Sequence, residues 1–137
     1  MLCTALETLR HARFLLFSPE NWTQGAYARN ADHRSIGAHQ TEEIRCMCSA
    51  GALRVAHNAL RNQNSDAYLK ATDYLVKAIV KLNELEKWPK YPTNIPDFND
   101  TTNYPMVIKM FDLAIEMAAA DETESAESPP ASSVTGE

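Results

Sequence analysis

The residue types in this chain best able to hold a metal are Cys46 and Cys48, two positions apart, with His33 and His39 upstream. Zinc ligands come in tight clusters such as Cys-x2-Cys or His-x3-His, and these four follow no such spacing. On a helix, residues two apart point about 200° away from each other. One cysteine (Cys48, on an apolar stripe) is therefore expected in the core and Cys46 at its periphery. His11 and His57 read as helix-surface residues. No metal site and no cofactor is expected. A Cys–His catalytic pair would have to meet in space, which spacing alone does not supply. The chain has no Gly-x-Ser-x-Gly elbow, no phosphate loop and no dinucleotide glycine pattern, and only four glycines. No catalytic residue is assigned, and the expectation is a protein that is not an enzyme.

Two other stretches suit binding. Asn21-Trp22-Thr23-Gln24-Gly25-Ala26-Tyr27-Ala28-Arg29 combines two rings, two amides and a guanidinium. Lys87 to Tyr104 carries Trp88, Tyr91, Phe98 and Tyr104, with Pro89, Pro92 and Pro96 stiffening it. Loops this long are uncommon in compact domains and often functional. This one reads either as a strap whose rings plug the helices or as a binding surface. Trp88 and Phe98 are expected to be structural, and Tyr91 to be exposed. The candidate binding residues are Trp22, Gln24, Tyr27, Arg29, Tyr91, Asn99 and Asp100. Rings, one guanidinium and a few amides fit a protein contact or a nucleotide-like small ligand. Trp22 has a simpler alternative role, capping the end of the first helix.

These residues need elements to position them. The chain has 137 residues, 45% hydrophobic and 23% charged, which is one domain's length and an ordinary globular composition. Leu2, Ala5, Leu6, Leu9, Ala12 and Leu16 form one helical stripe, which Ser18-Pro19 ends. A β-hairpin follows, turning at Asn30-Ala31-Asp32-His33, with Tyr27 and Ile36 facing the body. Thr41 reads as the N-cap of a second helix with the stripe Ile44, Met47, Cys48, Gly51, Ala52, Val55, Ala56 and Ala59. Gly51 costs a helix interior ~1 kcal/mol relative to alanine. Its presence implies a closely packed neighbouring helix or a ligand lying on bare backbone. A third helix carries Tyr68, Ala71, Thr72, Leu75, Ile79 and Leu82 and runs to about Glu86. A fourth starts near Pro105, which suits a first turn. The expected fold is mainly α: a four-helix single domain over residues 1–120, a short β-hairpin inserted after helix 1, and a long ordered loop before helix 4. An acidic tail, 121–137, is expected to be disordered.

Charge narrows the partners. Residues 1–120 hold 13 Lys+Arg and 13 Asp+Glu, so the net charge of −5 comes entirely from the last 17 residues. Generic nucleic-acid binding needs a basic stripe, and the body has no such excess. Glu7, Arg10 and Arg13 interrupt the apolar N-terminal stretch, so neither a secretory leader nor a membrane span is expected. With three cysteines, an odd number, the reading is a reduced cytoplasm.

The segment from Asn21 to Asp32 carries a further signal, together with Cys48-Ser49-Ala50-Gly51-Ala52-Leu53, Phe98-Asn99-Asp100 and Phe111-Asp112-Leu113-Ala114-Ile115. In this order they resemble an uncharacterised family of small bacterial and phage proteins, with a Trp-Thr-Gln-Gly-x-Tyr-Ala-Arg stretch before a Cys-x-x-Gly-Ala-Leu helix. The resemblance spans roughly residues 5–119. His33 stands where the family pattern has glycine, so the turn either rearranges or holds φ > 0 there. Phe98 replaces the usual Trp. The resemblance implies origin and architecture, in a bacterial host cell, and no activity. It also suggests that Trp22, Gln24, Tyr27, the face around Gly51 and Phe98-Asn99-Asp100 converge. The leading expectation is a phage or bacterial accessory protein that binds a host protein stoichiometrically and counters a host defence or regulatory system. The alternatives are a small-ligand (nucleotide-like) binder and, third, a cysteine- or metal-dependent enzyme.

Overall fold

A computed structural model describes residues 4–60, 65–86 and 90–127. Among the described residues, five α-helices surround one core, with a small antiparallel sheet on its flank. Helix α1 (Ala5–Leu15) starts at a capping box: the Thr4 hydroxyl accepts the Glu7 N–H, and the Glu7 carboxylate accepts the Thr4 N–H. It ends just before Ser18-Pro19, as expected. Strands β1 (Ala28–Arg29), β2 (Ser35–Ile36) and β3 (Cys46–Met47) follow, with β1 in the centre. Ala28 lies opposite Ile36 on one side and Met47 on the other. Helices α2 (Ser49–Ala59), α3 (Ser65–Leu85), α4 (Ile95–Thr101) and α5 (Tyr104–Glu127) complete the chain. Helix α5 packs on α3 and α1, and α2 closes over α1. Leu9, Leu16, Leu53, Leu75, Ile79, Phe98, Val107, Met110 and Phe111 fill the centre. Among the described residues, no helix is long and apolar enough to cross a membrane.

Four expectations need correction. The second helix does not begin at Thr41. Thr41–Glu43 form a single 3-10 turn, Cys46–Met47 pair with β1, and the helix starts at Ser49. The helical spacing of Ile44 and Met47 yields here to main-chain pairing, because β1 offers the backbone of Cys46 and Met47 a ladder. Cys46 and Cys48 are consequently both buried, rather than one inside and one peripheral. Second, the stretch expected as a long loop contains α4. Asn94 caps it, its side-chain oxygen accepting the Asp97 N–H, and Pro96 sits in its first turn. Third, Tyr27 does not face the body: it is 60% exposed, while its neighbour Ala28 is fully buried and Ile36 partly so. Fourth, α5 runs seven residues past Ala120. Its Ala- and Glu-rich end is good helix-forming sequence, and the Tyr74 hydroxyl donates to Asp121 Oδ2 at 2.5 Å. The expectations for Leu2, Trp88 and residues 128–137 lie outside the described residues.

The turn resolves as one of its two expected forms. His33 has φ of 64°, and Asn30 Oδ1 accepts the N–H groups of Asp32 and Arg34 beneath it. An Asn side chain stabilises the left-handed turn from inside.

Candidate functional site

Asn99, on α4, is fully buried, and every polar position of its side chain is engaged. Its Oδ1 accepts the Trp22 indole N–H at 2.7 Å, the Ser49 N–H at 2.9 Å and the Ser49 hydroxyl at 2.7 Å. Its Nδ2 donates to the Thr23 carbonyl and to Asp100 Oδ1, each at 3.0 Å. Rotating the amide by half a turn would set its NH2 against two obligate donors, the Trp22 indole N–H and the Ser49 N–H, so the hydrogen bonds fix its orientation. Gln24 adds two bonds from Nε2, to the carbonyls of Asn99 and Thr102, and the Gly25 N–H donates to Asp100 Oδ1. Three distant segments are thereby tied together: the stretch 22–25, the start of α2 and helix α4.

Arg29 secures the same stretch from the sheet. Its Nε donates to Thr23 Oγ1, Nη2 to the Gln24 carbonyl and Nη1 to the His33 carbonyl. Gly51 permits the closest approach. A Cβ there would collide with the Tyr27 carbonyl oxygen and sit 2.9 Å from its carbon. That carbonyl also accepts the Cys48 N–H at 3.0 Å. The surface that needs Gly51 bare is thus the backbone leading into β1, not a neighbouring helix. Cys48 caps α2, its sulfur accepting the Gly51 N–H at 3.3 Å. Burial pushes the Cys48 thiol up, with nearby Asp100 adding to the shift against the lowering effect of the backbone N–H bonds. That is the wrong direction for a thiolate nucleophile.

Outside this knot the surface opens. Three hollows adjoin around the first turn of α2. The first, about 320 Å³, is lined by Tyr27, Cys48, Pro96 and Asp100 among others. The second, about 290 Å³, has walls of Tyr27, Ala38, Ala50, Arg54 and Tyr68. The third, about 280 Å³, lies between Ala50, Leu53, Tyr68, Val76, Ile95 and Pro96. They share Tyr27, Ala50, Tyr68 and Pro96 as dividing walls. The Arg54 guanidinium stacks over the Tyr68 ring at 4.7 Å, and the His57 ring packs against the same tyrosine at 5.0 Å. A separate hollow of about 250 Å³ lies beside the stacked and exposed rings of Phe14 and Phe17, lined also by Ile44 and Val55.

The expected site residues therefore divide. Trp22, Gln24, Arg29 and Asn99 bond to one another's segments within the fold. Tyr27 and Asp100 line an open hollow. Tyr91 stands apart: its N–H donates to Asn83 Oδ1 at 2.6 Å, and its ring meets Phe98 edge-on at 5.4 Å. It is half-buried, and burial raises its phenol. Arg54 and Tyr68 were absent from the expected set. Spacing along the chain carries no signal for the pair, since Arg54 meets Tyr68 only through the packing of α2 on α3. Among the described residues, no group of three or more His, Cys, Asp or Glu side chains is placed to hold a metal ion.

A family model described as a family of unknown function (DUF6197) matches residues 3–117. The chain belongs to that family. The matched span contains the whole knot and all four hollows. Comparison with curated proteins and with solved structures found no match.

Proposed function

We propose that this DUF6197 protein acts by binding rather than by catalysis, and that the face around the first turns of α2 takes a protein partner. The observation that carries the reading is the set of three adjoining hollows, of about 280 to 320 Å³ each, separated by Tyr27, Ala50, Tyr68 and Pro96. Interfaces concentrate their energy in a few Tyr, Trp and Arg residues set in such pockets, and this face presents Tyr27, Tyr68 and Arg54. A nucleotide-like ligand has less support. Trp22 and Asn99 are committed to the knot, and the Arg29 guanidinium already serves three internal acceptors. A cysteine-based reaction is opposed by the raised Cys48 thiol.

The partner we assign is a protein of the bacterial host or its phage, and interference with a host defence or regulatory complex is the role we propose for it. A rival contact surface rests on one observation, the 67% and 65% exposure of Phe14 and Phe17. A photo-reactive residue placed at position 38 or 50 of the full chain tests the reading in cells. Cross-links to one protein from those positions, and none from position 14, are the expected result. Cross-links from position 14 alone would transfer the binding function to the phenylalanine surface.

A further inference from the structure

The second hollow has a chemistry of its own. Its walls are two tyrosines, two alanines and one arginine, with no acidic residue among them. Arg54 lies over the Tyr68 ring at 4.7 Å, and among the described residues no carboxylate pairs with it. Stacking on an aromatic face holds a guanidinium in place while leaving its in-plane N–H donors free. His57 braces the same ring at 5.0 Å. Tyr27, 60% exposed, stands on the other side of the hollow as a second ring. The other arginines with described contacts are spent elsewhere: Arg13 pairs with Asp112 and Arg29 serves the loop carbonyls. Asp100 is confined to the adjoining hollow, where its Oδ1 is held by the Gly25 and Asn99 N–H groups.

We infer that the Tyr27–Arg54–Tyr68 hollow is an anion subsite, taking a carboxylate that the partner protein carries beside an aromatic or apolar side chain. The inference rests on the binding face proposed above and names the chemistry of its occupant. The arginine fork receives the two carboxylate oxygens, while the tyrosine rings cover the apolar body that bears them.

A charge series on one aromatic scaffold tests this on the free, full-length protein by ¹⁵N–¹H NMR titration: 3-phenylpropionate, its neutral amide 3-phenylpropionamide, and phenyl phosphate. The expected result is a saturable shift of the amides of Tyr27, Ala38, Ala50, Arg54 and Tyr68 with phenylpropionate. It should bind roughly tenfold tighter than the neutral amide, as charge-assisted bonds outweigh neutral ones. Arg54→Gln should erase that difference, and Arg54 is exposed, so the variant should keep the wild-type spectrum elsewhere. Equal binding of acid and amide, or an unchanged preference in Arg54→Gln, would overturn the inference. Saturation by phenyl phosphate alone would overturn the carboxylate assignment in favour of a phosphate-bearing ligand. Because this titration needs no partner, its failure is distinguishable from failure of the binding face, which the cross-linking experiment reads separately.

Discussion

Ser49 and Ala50 are consecutive residues of α2 with opposite roles. Ser49 turns inward and gives both its N–H and its hydroxyl to Asn99. Ala50 turns outward and forms a wall common to two hollows. The same split divides the wider molecule. The knot around Asn99 is polar and saturated, with Asn99 and Ser49 fully buried, while the adjoining face is aromatic, open and holds an arginine with no acidic partner among the described residues. A saturated polar network makes a fold specific but has nothing left to offer a partner. An unsaturated one is free to bind. The unusual residues of this chain therefore belong to two classes that sequence proximity does not separate.

Substitutions should respond accordingly. Asn99→Ala should have the largest effect on stability, about 4 kcal/mol. It strands the Trp22 N–H, the Ser49 N–H and the Thr23 carbonyl, and a buried group left unpaired costs ~1–3 kcal/mol. Urea denaturation would read the loss, and a change below about 1 kcal/mol would show that water replaces the amide. Gly51→Ala comes next, at about 3 kcal/mol, because its methyl meets main chain that cannot rotate away. A melting temperature equal to the wild type would mean that the Tyr27 segment yields easily.

The smallest effect belongs to Tyr74→Phe, under about 1 kcal/mol for a partly exposed hydroxyl pair. The hydrogen bond to Asp121 pushes the Tyr74 phenol up to about 12, above its ordinary 10. A raised folded-state value contributes stability that is complete below pH 10 and is lost as pH rises through 12. Stability of the wild type should therefore fall faster than that of Tyr74→Phe across pH 10–12. Parallel curves would mean that the α3–α5 contact does not depend on this hydroxyl.

Much of the fold was legible because long apolar stripes override local detail. Helix α1, helix α3 and the start of α5 lie where their spacing places them. What escaped was short or tertiary in origin. Cys46–Met47 carry a helical pattern yet pair as a strand, since the ladder that captures them belongs to β1, some 17 residues earlier. Helix α4 has seven residues, too few for a periodic signal, although Asn94-Ile95-Pro96-Asp97 already spelled its cap. The convergence of Trp22, Gln24 and Asn99 was anticipated from motif order. Their roles were not, because residue type does not reveal whether a polar group's partners lie inside the fold. Arg54 and Tyr68 were passed over for the complementary reason: each is ordinary in its own helix, and only the α2–α3 packing sets one on the other.

Binding resides on the open face and folding in the knot: that division is what a single variant can probe. Tyr27→Ala measured for both properties tests it most directly, because Tyr27 adds its carbonyl to the packing under Gly51 and its ring to the face. The melting temperature should stay close to the wild type, since the ring is largely exposed. Affinity for the protein cross-linked at position 50 should fall at least ~30-fold, the equivalent of a hot-spot loss of about 2 kcal/mol. Unchanged affinity, or a loss of folding as large as that expected for Asn99→Ala, would contradict it.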